Sequence, residues 1–159
     1  HFLKTNSGKK GVGMPVLRNP QYYFKEGFCW NNVLNPQARL LKTKMKFPSV
    51  NDVGSMSLYS TISTLPNFYF VTLLNSDLIF DYYREYINCS VNIQINDVRQ
   101  IPVVIPTQKT LDKLKYLFDR AIELKKSVAD GSATEEEISV ELERVEMLLN
   151  EHINLLYCV

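Results

Sequence analysis

Arg39-Leu40-Leu41-Lys42-Thr43-Lys44-Met45-Lys46-Phe47 alternates in chemistry from Leu41 onward, with Leu41, Thr43, Met45 and Phe47 set against Lys42, Lys44 and Lys46. A period of two belongs to an extended strand with one face packed and the other in water, and here the wet face is cationic. Upstream, the aromatic block Tyr22-Tyr23-Phe24-Lys25-Glu26-Gly27-Phe28-Cys29-Trp30 suggests a second strand interrupted at Gly27. Downstream, Ser57-Leu58-Tyr59-Ser60-Thr61-Ile62-Ser63-Thr64 is rich in β-branched and aromatic residues and predicts a third.

Beyond these strands the period changes. Pro66 is placed to open a helix whose buried face holds Phe68, Val71 and Leu74, and Asn75-Ser76 interrupts and recaps the chain. A second helix carries Ile79, Tyr82, Tyr83, Tyr86 and Ile87 on one stripe, read as core with the hydroxyls at its boundary. Ile93, Ile95 and Ile101-Pro102-Val103-Val104-Ile105-Pro106 read as short extended segments, and the two prolines confine the last of them to an edge or an exit path. From there on the spacing is helical. Leu111, Leu114, Phe118, Ala121 and Leu124 form one stripe, ending near Asp130-Gly131. Thr134 and Glu137 form a capping box ahead of Ile138, Leu142, Val145, Leu149, Ile153 and Leu156. The expected fold class is α+β, a mixed or antiparallel sheet with flanking helices followed by a C-terminal antiparallel helical hairpin. Residues 1–106 would form the first unit, and residues 107–159 a hairpin packing on it or on a further domain.

Composition narrows the functions open to such a fold. The 159 residues can bury one core, and the longest apolar run, near Phe68 to Leu74, falls far short of the roughly 20 residues a membrane span needs. Cys29, Cys89 and Cys158 are dispersed, with no CxxC and no neighbouring histidine, as expected of reduced cytoplasmic thiols rather than of disulfides or a metal site. Without an initiator Met at His1, the chain reads as a piece excised from a longer protein. The net charge of +1 conceals a polarity: residues 1–46 hold nine Lys or Arg against Glu26 alone, while residues 107–159 hold seven against eleven acids. A basic front and an acidic tail suit contact with phosphates by the front, because each neutralised phosphate releases a counterion.

Catalytic patterns are missing. Gly8-Lys9-Lys10-Gly11-Val12-Gly13 lacks the Ser or Thr and the strand-to-helix setting of a phosphate loop, and reads as a basic loop. Two histidines at opposite ends of the chain assemble no triad. Asn19-Pro20-Gln21-Tyr22 is similar to the Asn-Pro-Pro-Tyr motif of amino-group DNA methyltransferases, yet Gln21 replaces the second proline and eighteen residues cannot hold the nucleotide-binding βαβ unit such a motif follows.

In order and spacing, Tyr22 to Trp30, Leu73-Leu74-Asn75-Ser76 and Val91-Asn92-Ile93-Gln94-Ile95-Asn96-Asp97-Val98-Arg99-Gln100-Ile101-Pro102 resemble the C-terminal target-recognition region of adenine-specific DNA methyltransferases and of restriction enzymes fused to them, the TaqI-like specificity domains. The resemblance covers Tyr22 to Pro106. Asn150-Glu151-His152-Ile153-Asn154-Leu155-Leu156-Tyr157 also looks like the Ile-Asp-x-Leu-Val-Tyr-x-Leu-Tyr ending of many restriction-modification polypeptides. After Trp30 the family usually has Ser or Thr, where this chain has Asn31.

The resemblance implies sequence-specific recognition of double-stranded DNA, as the specificity domain of a restriction-modification adenine-N6 methyltransferase. The partners would be duplex DNA and a methyltransferase domain of the same polypeptide, with no membrane. No cofactor would be held by this fragment, S-adenosylmethionine belonging to the separate catalytic domain. Lys42, Lys44 and Lys46 are the expected phosphate contacts, and Asn31, Asn32, Gln37 and Arg39 in the adjoining loop are candidates for base edges. Lys25 and Arg99 fit either phosphate contacts or structural ion pairs. Two rival readings are a protein–protein adaptor working through the helical hairpin, and a specificity subunit of a multisubunit restriction system.

Overall fold

The computed structural model describes residues 19–35, 37, 39–50 and 55–158; the Gly8–Gly13 basic loop expected from sequence lies outside them. Strands β1 (Gly27–Asn31), β2 (Lys44–Lys46) and β3 (Ser55–Leu58) form a three-stranded antiparallel sheet in the order β2-β1-β3. Phe28 pairs with Met45 on one side and with Leu58 on the other. β1 is central and buried from Gly27 to Trp30, as its aromatic content demands.

Each strand differs in extent from the alternation that announced it. Gly27 opens β1 instead of interrupting a longer strand, and the residues before it form a 3-10 turn at Pro20–Tyr22. A side chain at Gly27 would put its Cβ 2.5 Å from the Leu58 carbonyl oxygen and 2.7 Å from the Tyr59 ring, so glycine is needed for that close approach. The long strand expected over Arg39–Phe47 shrinks to β2. Lys42 sits at φ 49°, and Pro48 follows Phe47 and supplies no amide hydrogen. The third strand starts earlier than expected and ends at Leu58, with Tyr59 to Pro66 crossing to the first helix.

Helix α1 (Asn67–Leu74) is apolar nearly all round, which is stable only for a helix covered on several sides. It lies between the sheet and the hairpin. Phe70 stacks on Phe28 of β1 with ring centroids 5.1 Å apart, while Phe68 meets Phe118 at 5.8 Å. Pro66 precedes the helix as its cap residue. Ser76 ends one helix and starts the next: its hydroxyl donates to the Leu73 carbonyl oxygen and accepts from the Ile79 amide at the head of α2 (Asp77–Tyr82).

The expected tyrosine stripe divides as α2 widens into a π turn over Tyr83–Ile87. Tyr83 is fully buried whereas Tyr86 is 72% exposed, so only part of the stripe is core. Burial, then the neighbouring Asp97 carboxylate, raise the Tyr83 pKa, and Asp97 Oδ2 accepts from the Tyr83 hydroxyl, Asn88 Nδ2 and the Gln94 amide. The last of these bonds caps α3 (Ile95–Val98), a helical turn where an extended segment was expected. Residues 101–106 do run without regular structure, and their carbonyls accept from the Tyr69 and Tyr157 hydroxyls.

The hairpin matches its pattern closely. Helices α4 (Gln108–Ala129) and α5 (Glu135–Leu156) pack together, turning through Gly131 at φ 77°. Thr134 and Glu137 complete the capping box, the Glu137 carboxylate accepting from the Thr134 amide at 2.7 Å. Near the sheet, Leu111, Leu114 and Ile153 join the main core; farther out, Leu124, Ile138 and Leu142 form a cluster of their own. Arg120 bridges the two helices to Glu141 at 2.7 Å.

Candidate nucleic-acid interface

Antiparallel register decides which side chains share a face, since residues directly opposite one another project to the same side. Cys29 faces Lys44 across one ladder and Ser57 across the other. Lys44, Ser57 and, two residues along β1, Asn31 therefore project from the side of the sheet opposite Phe28 and Trp30. Lys44 and Asn31 are exposed, as is Lys42 just before β2. Neither lysine forms an ion pair with a described residue. Between residues 19 and 50 the only acid is Glu26.

Lys46 departs from the expected cationic face. It is 4% exposed, and its ammonium donates to the carbonyl oxygens of Lys25, Phe47 and Ser49 at 3.0, 3.3 and 2.8 Å. A lysine ammonium has three N–H donors, and here each finds an acceptor within the fold, which explains how the charge is accommodated. The ring of Tyr59 lies 5.8 Å from the same nitrogen. Lys46 is thus a clamp that fastens the 25 and 47–49 backbone segments together. Phe47, expected on the packed face, is instead 76% exposed.

Arg39 is also engaged. Its Nη2 contacts both carboxylate oxygens of Asp81 at 2.9 Å, tying the loop before β2 to α2 and neutralising its charge. Lys25 is exposed, its ammonium 5.6 Å from the Tyr22 ring centroid. Asn32 is half-buried and its carbonyl oxygen accepts from the Ile93 amide, while Leu34 donates to the Val91 carbonyl oxygen. The backbone after β1 is thereby stitched to the 91–93 segment, where Val33 bridges Asn92. Gln37 is exposed, its amide donating to Asn35 Oδ1. Arg99 is exposed at the C-terminal end of α3, which packs beside β3. β2 and β3 flank β1, so that edge lies two inter-strand spacings, roughly 10 Å, from β2.

Lys44 and Asn31 thus share a face of the sheet, Lys42 is exposed just before β2, and Lys25 lies before the opposite end of β1. The structure sets Arg39 toward α2 and Arg99 toward the far edge, and withdraws Lys46. The anchor behind this edge is a residue the sequence marked only as a helix break. Asn75 Nδ2 donates to the Thr43 carbonyl oxygen and Asn75 Oδ1 accepts from the Thr43 amide, both at 2.8 Å, the pair of bonds a neighbouring strand would make. Nothing in a single sequence distinguishes that amide from any other asparagine in a turn.

No group of three or more His, Cys, Asp or Glu among the described residues is placed to hold a metal ion, and no described helix is long and apolar enough to cross a membrane. The described strands pair only antiparallel. A groove of about 370 Å³ lies on the hairpin between Asp112, Lys113, Tyr116, Leu117, Leu148 and His152. No family model, curated protein or solved structure matches the chain.

Proposed function

We propose that this chain is a module that recognises double-stranded DNA, serving as the specificity part of a restriction-modification adenine-N6 methyltransferase whose catalytic domain binds S-adenosylmethionine elsewhere in the polypeptide. The observation that carries the proposal is the β2 edge: Lys42 and Lys44 stand exposed with no ion pair to a described residue, beside the amide of Asn31, on backbone fixed by Asn75 and the Lys46 clamp. Lysines so placed take phosphates, and an exposed asparagine beside them is suited to the N6 and N7 edge of adenine. Methyl transfer falls to the catalytic domain, and the module supplies address rather than reaction. The test is a titration of labelled duplex over a series of salt concentrations. Each neutralised phosphate contributes about 0.9 to the slope of log K against log salt, so Lys25, Lys42 and Lys44 together predict a slope near −3. Binding that ignores salt, or no binding by folded protein at low salt, contradicts the proposal.

A second reading has one observation in its favour. Tyr116 is 72% and Met147 62% exposed on the hairpin, and Tyr116 borders the groove there, which suits docking of another protein surface. A methyltransferase domain or the subunits of a multisubunit restriction system would fill that role, as would an unrelated partner of an adaptor. Loss of partner binding on Tyr116→Ala, with DNA affinity unchanged, separates the two surfaces.

A further inference from the structure

At the end of the sheet where β1 begins, aromatic and aliphatic side chains gather on backbone that the fold fastens together. Phe24, Phe47 and Val50 are 68, 76 and 49% exposed. The Phe24 amide donates to the Ser49 carbonyl oxygen, and the Lys46 ammonium ties the carbonyls of Lys25, Phe47 and Ser49 into one knot. Beside them Tyr22 and Tyr59 stack with centroids 5.1 Å apart, and the Tyr59 hydroxyl donates to the Tyr22 carbonyl oxygen. Isolated exposed apolar residues are ordinary, but three on clamped neighbouring segments make a platform. Phe24 adopts φ 57°, a region that a bulky side chain enters only when its surroundings hold it there. The knot therefore keeps the ring at the surface at a cost in backbone strain.

We propose that this platform stacks unpaired nucleobases beside the duplex held by the β2 edge. The inference rests on the DNA reading above and adds to it a ligand chemistry, the π face of a base exposed by local opening of the helix. Charge selects this occupant over an apolar peptide. Lys25 lies against Tyr22, Lys44 projects from the same face of the sheet as Lys46, and Glu26 is the only acid between residues 19 and 50. Exposed rings bordered by lysines are the arrangement by which single-stranded nucleic acid is held, bases on the rings and phosphates on the cations.

The experiment compares a fully paired duplex with the same duplex carrying a short unpaired bubble, by fluorescence anisotropy with the 159-residue chain at low salt. The bubble is expected to bind about tenfold more tightly, at the lower end of what stacking on an aromatic side chain supplies. Phe24→Ala with Phe47→Ala should bring the bubble down to the affinity of the duplex and leave the duplex unchanged, and Phe24→Tyr with Phe47→Tyr should keep the preference because the rings remain. Both residues are exposed, and an unchanged melting temperature confirms that the variants fold. Equal affinity of the unaltered chain for bubble and duplex, with salt-dependent duplex binding, overturns the stacking platform and leaves the DNA reading standing. Failure to bind either probe overturns both. Self-association that the alanine pair abolishes, without a preference for the bubble, would assign the patch to a second copy and overturn the proposal.

Discussion

Lys46 and Lys44 are two residues apart on one face of one strand, and the fold uses them oppositely. The ammonium of Lys46 is enclosed by three carbonyl oxygens, so its removal leaves three acceptors short of a donor. Hydrogen bonds to charged groups contribute roughly 1.5–3 kcal/mol, and Lys46→Met is expected to lower unfolding stability by about 2 kcal/mol in a denaturant titration while leaving the salt slope of DNA binding unchanged. Asn75→Ala removes both bonds to Thr43 and should cost a similar amount, about 1 kcal/mol for each neutral bond. Arg39 offers a gain instead of a loss. Asp81→Asn frees its guanidinium from a pair in which both partners are more than half exposed, worth about 1 kcal/mol or less to the fold. The released cation should tighten duplex binding severalfold at low salt and steepen the salt slope by about 0.9; an unchanged slope would show that Arg39 lies away from the phosphates.

Elements whose partners are close in sequence are the ones legible from it. The hairpin depends on helical period, a capping box and Gly131, all local signals, and the structure places them as read. β2 is harder because alternation of chemistry is not alternation of burial. Leu41 and Thr43 are buried and Lys42 and Lys44 exposed, as the pattern demands, yet at Lys46 and Phe47 the order reverses. The reversal comes from acceptors at Lys25 and Ser49, distant or irregular in sequence, and from the proline after Phe47. The strand patterns leave the antiparallel order of the sheet open, and the pairing with β1 on both sides decides it. At the head of α5 the Thr134 amide, then its hydroxyl, hold the Glu137 carboxyl below its ordinary value of 4.5. A lowered folded pKa means stability that is fully present above the unfolded value and is lost as pH falls through the folded one. The unaltered chain should therefore lose α5 helix stability on acidification through and below pH 4.5, a segment of pH dependence absent from Glu137→Gln, as followed by circular dichroism.

On the scale of the whole molecule, charge and packing are distributed to different ends. α1 occupies the middle, its rings meeting the sheet through Phe70 and the hairpin through Phe68, so the basic edge and the acidic helices are joined by one core. That polarity is visible in residue counts alone, because it depends on no contact. The surroundings of the candidate residues are legible only in part. Lys42, Lys44 and Asn31 are exposed as read, whereas Arg39, Lys46 and Arg99 are placed by an ion pair, a carbonyl knot and a helical turn that no local pattern encodes. Phe24 and Phe47 belong to stretches patterned as strands, where aromatic rings ordinarily pack, yet they stand in water at the clamped corner. DNA recognition through the sheet is tested most directly by following backbone amide resonances of the chain while duplex DNA is added. It predicts shifts that centre on Asn31, Lys42 and Lys44 and vanish on Lys42→Glu with Lys44→Glu; shifts confined to the hairpin around Tyr116 and His152, and untouched by those substitutions, would contradict it.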